Sequence, residues 1–552
     1  MRGTIKMKLL NDIFDQLKGH EKATLIRHED FTSDMPDIYA FDELPKVSIK
    51  GLPIASKRIN GKLHYLFSEE KGHTMVIGSS GSGKTTGWIF PYLSAVAKNC
   101  SGKKNKSSFV IADPKGEIYA QCEKPLREAG YKIRLLNFKD PNHSDRQNIM
   151  VKMYDAWQKW AKAPKGLRKN ELRNDADQEI HNFTDNFFEV SSDSRQKTWD
   201  ISAVNMIRSF IYAMLEDSVP QEKDGKVIQP TITRDNFSLR TMLAIFNSMS
   251  FSGSRMADGG YFRNRPKTSD SYKLASGSFL DIAENTWKSV VFEFNLHTKK
   301  FASSAIQNLT LYNSFEYSDL AKEKTALFIR FSDSKKENYD MVEFFIRDIY
   351  TTLIEYADDN KGSLPFPMHI LLDEFGNLPP SKNFGNVISA CRSRNIWFTL
   401  VIQSYSQLFG KYGPELANTI KDNCNIKCFY GTNDFMTLEA FSRECLRTTQ
   451  IAFSSIFKSK TGELDTVELE TAPVVTVSEL NAVKEGEFYI KMFRKPAMKS
   501  MTIRSYLCPE FNYGTANPDE YSRGINSSDK RFIYDPAKKS PPPKPKFSLD
   551  DD

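Results

Sequence analysis

Long apolar runs and paired cysteine motifs are both missing from this sequence. No stretch approaches the roughly 18 consecutive apolar residues of a membrane-spanning helix, and the opening MRGTIKMKLLNDIFDQLKGHEK is too charged for a signal peptide. The seven cysteines make no repeated CxxC pairs and the eight histidines are dispersed, which argues against a disulfide framework or a structural zinc site. We therefore expect folding in a reducing compartment, with Cys424 and Cys428 as buried thiols.

The composition is that of a globular protein with a mild excess of positive charge. The 552 residues are enough for two or three domains, and 40% hydrophobic and 26% charged residues are ordinary proportions. The net charge of +7 permits contact with nucleic acid or an anionic membrane without requiring either. The function therefore has to be inferred from motifs.

A phosphate-binding loop is the most specific motif. In HTMVIGSSGSGKTTG an apolar strand runs into a complete P-loop pattern. The glycines let backbone N–H groups surround a polyphosphate, the lysine reaches its β and γ oxygens, and the threonine hydroxyl ligates Mg²⁺. The predicted nucleotide-binding residues are Gly78, Ser79, Ser80, Gly81, Ser82, Gly83, Lys84, Thr85 and Thr86.

A pair of carboxylates follows a second buried strand, in MHILLDEFGNL. Asp373 is predicted to hold Mg²⁺ together with Thr85, and Glu374 to orient or deprotonate the attacking water. The alternative is that the pair only caps the next helix. The hypothesis requires Lys84 and the Asp373–Glu374 pair to converge on one triphosphate.

Alternation of strands and helices predicts an α/β fold with a mostly parallel central sheet and helices on both faces. An all-helical stretch interrupts this pattern. We predict a lead-in over 1–70, a nucleotide-binding domain over 71–150 and 321–510, an inserted all-alpha domain over 151–320, and a flexible Pro/Lys/Asp tail over 511–552. GEFYIKMF and KSMTIRSYL are predicted to be two antiparallel strands at the edge of the sheet.

Four segments, GSSGSGKTTGWIFPYL, VIADPKGEIYAQ, ILLDEFGNLP and LVIQSYSQL, the last followed by KYGPELANTIKDNC, together carry a family resemblance. In order and spacing they resemble the VirD4-like coupling proteins of bacterial conjugation, the ATPases that couple DNA processing to type IV secretion. The resemblance covers roughly residues 50–510. It implies a RecA-like motor that assembles as a hexamer, hydrolyses ATP with Mg²⁺ at subunit interfaces, and recruits a relaxase attached to single-stranded DNA to a secretion channel.

The resemblance also implies roles for individual residues. Lys84 contacts phosphate, Glu374 acts on the water, and Gln403 senses the γ-phosphate. Arg392 reaches the nucleotide of a neighbouring subunit, with Arg394 as its substitute and an ordinary surface arginine as the alternative. Asp113 and Lys115, at the end of another predicted strand, either touch the surroundings of the nucleotide or form a local ion pair.

Two basic stretches are candidates for contact with DNA, with a solvated protein face as the alternative. They comprise Lys159, Lys162, Lys165, Arg168, Lys169 and Arg173, and then Lys491, Arg494, Lys495, Lys499 and Arg504, with Phe493 and Tyr506 interleaved. Two other functions remain open: an ATP-gated recruitment platform without motor activity, and a double-stranded DNA translocase of chromosome segregation or packaging. The short Pro-rich end disfavours the translocase, which would carry a DNA-reading module there.

Most members of the resembled family begin with membrane helices, and this sequence has none. It is similar instead to the variants of Gram-positive conjugative elements. That similarity implies a cytoplasmic protein held at the inner face of the membrane by a separate membrane-anchor protein, beside the channel ATPases. MKLLNDIFDQLKG could form a short amphipathic helix that packs on the core or on a partner.

Overall fold

The computed structural model describes most of the chain. The described residues are 26–27, 37–49, 51–68, 71–102, 104–188, 194–223, 226–252, 255–257, 261–280, 282–332, 338–381, 383–452, 468–501, 503–522, 531 and 533–534. The amphipathic segment expected at residues 7–19 and the Pro-rich end lie outside them. Within the described residues, no helix has the length and apolar character needed to cross a membrane.

The chain divides into two compact units. Unit 1 comprises residues 1–133, 318–328 and 349–516, and unit 2 comprises 134–317, 329–348 and 517–552. The boundaries predicted from the sequence, with an insertion over 151–320, stay a prediction.

The strands are mostly short. They are β1 (Ile26–Arg27), β2 (Ile38–Ala40), β3 (Pro53–Ile59), β4 (Lys62–Phe67), β5 (Thr74–Ile77), β6 (Ser108–Asp113), β7 (Lys132–Asn137), β8 (Gln221–Lys223), β9 (Lys226–Ile228), β10 (Ser250–Ser252), β11 (Arg255–Ala257), β12 (Thr325–Arg330), β13 (Met368–Leu372), β14 (Ile396–Ile402), β15 (Ile426–Phe429), β16 (Arg447–Ala452), β17 (Glu468–Pro473), β18 (Glu487–Met492) and β19 (Met498–Met501).

The α-helices lie between these strands. They are α1 (Phe90–Asn99), α2 (Glu117–Glu128), α3 (Val151–Lys162), α4 (Leu167–Phe187), α5 (Ser194–Glu216), α6 (Leu239–Ser248), α7 (Asp270–Ala275), α8 (Glu284–Thr298), α9 (Ser304–Leu309), α10 (Tyr339–Asp359), α11 (Phe384–Cys391), α12 (Tyr405–Asn423), α13 (Phe435–Glu444) and α14 (Val477–Asn481). Helix α12 is kinked at Gly413, which has φ 73°, just before Pro414.

One large sheet organises the site. Among the described residues, ten strands pair in the order β1-β19-β18-β15-β5-β14-β13-β6-β12-β7. Strands β15, β5, β14, β13 and β6 run parallel. Strands β18 and β19 are antiparallel to each other as predicted, but the edge position predicted for them is taken by β1, which pairs with β19. Every residue of β5, β13 and β14 is buried, as expected where helices cover both faces. The predicted mostly parallel central sheet is confirmed.

A small antiparallel sheet, in the order β2-β4-β3, covers part of unit 1. Its Leu63, Tyr65 and Phe67 pack in one apolar cluster with Phe41 and Phe511. Phe511 lies at the start of the segment expected to be a flexible tail. Because its aromatic ring is buried in this cluster, the ordered part of unit 1 extends past residue 510.

Unit 2 is built mainly of helices, with two short hairpins, β8–β9 and β10–β11, added to them. Its interior is rich in aromatic rings, with Phe187 lying 5.4 Å from Phe301 and 4.2 Å from Phe344 between ring centroids. The buried Arg265 guanidinium donates to Glu216 and Asp217 at 2.9 Å each. Ion pairing of this buried guanidinium offsets its desolvation.

Candidate nucleotide-binding site

The P-loop follows the buried strand β5 at its carboxyl end. Gly81 and Gly83 have φ of 79° and 89°, which is the left-handed region that glycine adopts without strain. At Gly78 a Cβ atom would lie 2.5 Å from Ser82 Oγ, so only glycine lets the loop close on itself. Residues Thr85–Ile89 form a π-helical turn that leads into α1. The loop therefore presents backbone N–H groups at a helix start, as the motif predicts.

Lys84 is folded onto its own loop. Its Nζ donates to the carbonyl oxygens of Gly78 at 2.5 Å and Ser79 at 2.9 Å, and the residue is buried. Burial lowers the pKa of Lys84, while the nearby Glu374 and Asp373 carboxylates favour its charged form. The lysine and both carboxylates therefore share one electrostatic environment, as the hypothesis of a single site requires.

Sheet topology explains why they meet. Strand β14 pairs in parallel with β5 on one side and with β13 on the other, so the carboxyl ends of all three strands lie at one edge. Gly78, Gln403 and Asp373 are the residues that follow those strands. The Gly78 N–H donates to the Ile402 carbonyl at 3.1 Å, which fixes the P-loop against the end of β14.

Asp373 is buried at this edge. Burial, with the negative charges of Glu374 and Asp113 adding to it, raises the pKa of Asp373 to about 7, and Lys84 opposes the shift. Burial likewise raises the pKa of Asp113 to about 6. A divalent cation would relieve the repulsion between these carboxylates, so the donor set suits Mg²⁺ with its preference for oxygen ligands.

Glu374 adopts a left-handed backbone conformation with φ 57° and ψ 37°. A non-glycine residue in this region carries a cost on the order of 1 kcal/mol, which is commonly seen at functional sites. Its side chain makes no capping hydrogen bond to the helical turn Phe375–Asn377. Instead its Oε2 accepts from Asn377 Nδ2 at 2.9 Å and from Gln403 Nε2 at 3.4 Å. The helix-cap alternative therefore does not describe this side chain.

Gln407 supports that arrangement and was missed by sequence reasoning. Its Oε1 accepts from the Gln403 N–H at 3.0 Å, and its Nε2 donates to Asn377 Oδ1 at 3.1 Å. At Gly376 a Cβ atom would lie 2.1 Å from the Gln407 amide, so a side chain there would displace it. A signal was available, because Gln403 and Gln407 stand one helical turn apart in QSYSQL.

Arg504 is a second residue at the site that the sequence did not predict there. Its Nη1 donates to Thr86 Oγ1 at 3.4 Å, and its Nη2 pairs with Glu485 at 2.7 Å. A Cβ atom on Gly83 would lie 3.1 Å from the same Nη1. The guanidinium thus lies against the P-loop, whereas the sequence grouped Arg504 with candidate DNA contacts.

Arg392 and Arg394 lie away from the P-loop. Arg392 is exposed and lies near Gly72, just before the start of β5, where a Cβ added to Gly72 would be 3.7 Å from Arg392 Nε. With the Asn425 amide oriented so that its oxygen faces Arg392, that oxygen accepts from the guanidinium at 3.1 and 3.2 Å. Arg394 forms a two-pronged ion pair with Asp358, at 2.8 and 3.1 Å. The P-loop follows the other end of β5, so neither arginine is placed to reach the nucleotide site of its own subunit.

Asp113 and Lys115 differ in role. The carboxylate of Asp113 accepts from the N–H groups of Gly116 at 2.9 Å and Tyr119 at 2.8 Å, and so fixes the start of α2. Lys115 pairs with Glu117 at 3.8 Å, so its ion pair is with Glu117 and not with Asp113.

Several members of the basic stretches are held by neighbouring side chains. In the first, Arg173 pairs with Asp177 and Asp270 and stacks on Trp157, with its guanidinium carbon 4.5 Å from the ring centroid. In the second, Lys499 pairs with Glu487 at 3.1 Å. Arginine and lysine engaged in this way stabilise their own unit, which reduces the charge that either stretch can offer to phosphates.

Cysteines play no part in the site. All seven are buried free thiols. Burial raises the pKa of Cys424 to about 12, with nearby carboxylates adding to the shift, so its thiol stays protonated near neutral pH. The prediction for Cys424 and Cys428 is confirmed.

Comparison with protein families matches residues 45–512 to the family described as Type IV secretory system Conjugative DNA transfer. Among solved structures the chain is similar to the bacterial conjugative coupling protein TrwBdeltaN70 in its unbound monoclinic form, with 14% identity, a TM-score of 0.53, and coverage of 84% of this chain and 91% of that chain. It is also similar to plasmid coupling protein TrwB in complex with the ATP analogue ADPNP and with the GTP analogue GDPNP. Each shows 15% identity and a TM-score of 0.50 and covers 78% of this chain and 85% of that chain. No curated protein matches the sequence. At these identities the structural likeness establishes the fold, and it confirms the predicted fold class.

Proposed function

This chain belongs to the type IV secretory system conjugative DNA transfer family, and on that premise we propose that it is a coupling ATPase that brings a relaxase–single-stranded DNA complex to a secretion channel. The observation that carries the enzymatic part is the meeting of Lys84, Asp373, Glu374 and Gln403 at one edge of the sheet. The ADPNP and GDPNP complexes of TrwB support a nucleoside triphosphate as the substrate class.

The P-loop and Lys84 bind the triphosphate. Backbone N–H groups between Gly78 and Thr85 surround the phosphates, and the Lys84 ammonium exchanges its contacts with the Gly78 and Ser79 carbonyls for phosphate oxygens. Gly81 and Gly83 supply the backbone conformations that this cradle needs. The negative charge of the phosphates stabilises the charged form of the buried Lys84.

Thr85 and Asp373 would hold Mg²⁺. When bound, the ion supplies positive charge next to the phosphates. Asp373 fits this role because it is buried at the end of β13 near the Glu374 and Asp113 carboxylates, and a cation would stabilise its charged form there. Thr85 begins the helical turn after Lys84, so its hydroxyl is carried at the start of the helix.

Glu374 orients the attacking water and accepts its proton. Its contacts with Asn377 and Gln403 fix the direction of the carboxylate, and Gln407 holds both of those partners. Gln403 lies between the carboxylate and the P-loop edge, which suits it to report the presence of the γ-phosphate.

Assembly and partners extend the proposal. Arg392 acts on the nucleotide of a neighbouring subunit in a hexamer, because it lies at the opposite end of β5 from its own P-loop. Hydrolysis is coupled to single-stranded DNA that carries a relaxase, and a separate membrane-anchor protein holds the assembly beside the channel ATPases. Binding to anionic liposomes tests the role of the anchor. If the isolated protein binds these liposomes as tightly as it does in the presence of the anchor protein, the proposal is contradicted.

Glu374→Gln is the decisive variant. It should retain ATP binding, measured by fluorescence titration, while ATP hydrolysis falls about 10²- to 10⁴-fold, the usual contribution of a general base. Glu415→Gln on the exposed face of α12 is the matched control and should hydrolyse ATP normally. Undiminished hydrolysis by the Glu374 variant would overturn the assignment.

The same variant separates a motor from a recruitment platform. If the protein does mechanical work, conjugative DNA transfer in cells should be lost with Glu374→Gln, whereas a platform gated by ATP binding should support transfer. Specific activity should also climb with protein concentration, with and without single-stranded DNA, because the sites lie between subunits. Activity independent of concentration would exclude a shared site.

A further inference from the structure

Three potential metal ligands face one another inside unit 2. Asp200 lies on α5, and Glu293 and His297 lie four residues apart on α8, which places their side chains on one face of that helix. One ligand atom from each residue lies within 4.8 Å of the others. The three side chains therefore bridge two helices that are packed together in the same unit.

Two of these side chains carry a buried atom that has no hydrogen-bond partner among the described residues. Glu293 is 7% exposed, and its Oε2 is buried and unpaired. His297 Nε2 is likewise buried and unpaired, and approaches Asp200 Oδ1 at 3.5 Å. Burial of a carboxylate oxygen without a partner is unfavourable, because the oxygen has lost its hydrogen bonds to water and gained none in return. Two such atoms within one three-residue cluster indicate a common partner.

The spacing suits a cation. Donor atoms about 2.1 Å from one ion lie roughly 3 to 4 Å apart, so a modest movement of these side chains closes the set. The main competing explanation is a proton shared between the Glu293 and Asp200 carboxyls, but this would leave the His297 nitrogen unsatisfied. A cation satisfies all three atoms at once and neutralises the carboxylates.

We propose that Asp200, Glu293 and His297 form a divalent transition-metal site that ties α5 to α8. One imidazole nitrogen and two carboxylate oxygens favour Zn²⁺ or Mn²⁺, whereas Mg²⁺ and Ca²⁺ prefer oxygen ligands only. His297 retains 14% exposure of its side chain, which gives solvent access to the site. With three protein ligands, water completes the coordination, and the site stabilises the helical unit.

The test uses the full-length chain without nucleotide, stripped of metal by a chelator and dialysed. Addition of Zn²⁺ or Mn²⁺ should show one tight equivalent by calorimetry and raise the thermal unfolding midpoint. His297→Gln and Glu293→Gln should each weaken that binding at least tenfold and remove the thermal shift. His181→Gln, an exposed histidine on α4, is the matched control and should bind like the parent.

Each outcome bears on the proposal. Unchanged metal binding in the His297 and Glu293 variants, or no tight equivalent in the parent chain, would overturn it. Should either variant fold poorly, Asp200→Asn and the metal-dependence of unfolding in the parent chain still decide the matter. A shared proton predicts a stable Glu293→Gln protein and a parent chain whose unfolding ignores metal. The result is independent of the ATPase proposal, because none of these residues lies in unit 1.

Discussion

The two ends of the central sheet in unit 1 carry different chemistry. At the carboxyl end, acidic Asp113, Asp373 and Glu374 crowd around Lys84 and the P-loop. At the amino end, the exposed Arg392 lies by Gly72. Gly78 is six positions after Gly72, which is roughly 20 Å of extended chain. One end therefore holds the groups that we propose bind nucleotide and water, while Arg392, which we propose acts on a neighbouring subunit, lies at the other.

Buried titratable groups at the two ends have opposite shifts. At the carboxyl end burial raises the pKa of Asp373 to about 7. At the amino end burial lowers the pKa of His73 to about 4, although its hydrogen bond with the Ile388 carbonyl at 2.8 Å opposes the shift. His73 Nδ1 also accepts from the Phe398 N–H at 2.9 Å, so neutral His73 ties α11 to β14. At the amino end a neutral histidine joins a helix to a strand through two hydrogen bonds. At the carboxyl end a bound cation would stabilise the charged form of the buried Asp373.

The largest expected effect is the loss of Arg392. In the assembled protein Arg392→Ala should reduce ATP hydrolysis about 10³-fold, because a guanidinium that neutralises transition-state charge contributes on that scale. Arg394→Ala should have an effect of less than tenfold, since Arg394 is occupied by Asp358. The measurement is steady-state hydrolysis at a protein concentration that saturates assembly.

Mixing two inactive variants tests whether Arg392 acts on the nucleotide of another subunit. Arg392→Ala and Lys84→Ala subunits should each be inactive alone, and an equimolar mixture should recover part of the activity. In that mixture an intact P-loop from one subunit can meet an intact Arg392 from another. Absence of any recovery would place the arginine outside the reaction or inside its own subunit.

The next effect is on stability and concerns Asp373. Because its pKa is higher in the folded state than the 3.8 expected when unfolded, the native state binds more protons between about pH 4 and pH 7. Stability from this group is thus lost as pH rises through that window. Without nucleotide or Mg²⁺, Asp373→Asn should raise the free energy of unfolding at pH 8 by on the order of a few kcal/mol.

At pH 5 the gain in stability from Asp373→Asn should be clearly smaller than at pH 8, since the native carboxyl is largely protonated at pH 5 and only the unfolded carboxyl is ionised. Urea titrations at both pH values give the comparison. Asp359→Asn on the exposed end of α10 is the control and should change the free energy by no more than about 0.5 kcal/mol. A gain that is the same at both pH values would contradict the assigned shift.

A smaller effect is expected at Gly376. The added methyl of Gly376→Ala would displace the Gln407 amide, which lies 2.1 Å from that position, and so loosen Gln403 and Glu374. Overpacking of this kind costs about 1–3 kcal/mol, and hydrolysis should fall roughly tenfold through poor orientation of the water. Gly410→Ala, where a Cβ meets open space, is the control. Equal kinetics for both variants would show that Gln407 has no positioning role.

Sequence reasoning found the parts of the site that are local in the chain. The P-loop spacing and the Asp373–Glu374 pair are short motifs, and parallel pairing of β5, β14 and β13 brings their ends together. Arg504 could not be found in this way, because no local motif marks it and only the folding of the chain brings it to Gly83. The pair Glu293 and His297 is visible at helical spacing, but its partner Asp200 is set by helix packing.

The smallest effect concerns Arg504, and it separates binding from catalysis. Since its guanidinium lies at the P-loop, Arg504→Ala should weaken nucleotide binding about two- to tenfold, as expected for one partly screened charge near phosphate. Glu485→Gln should preserve or tighten binding, because it frees Arg504 from its partner. Arg392→Ala should leave the affinity of isolated subunits unchanged, as it lies at the amino end. Equal losses of nucleotide affinity for the Arg392 and Arg504 variants would contradict the assignment of nucleotide binding to the carboxyl end of the sheet alone.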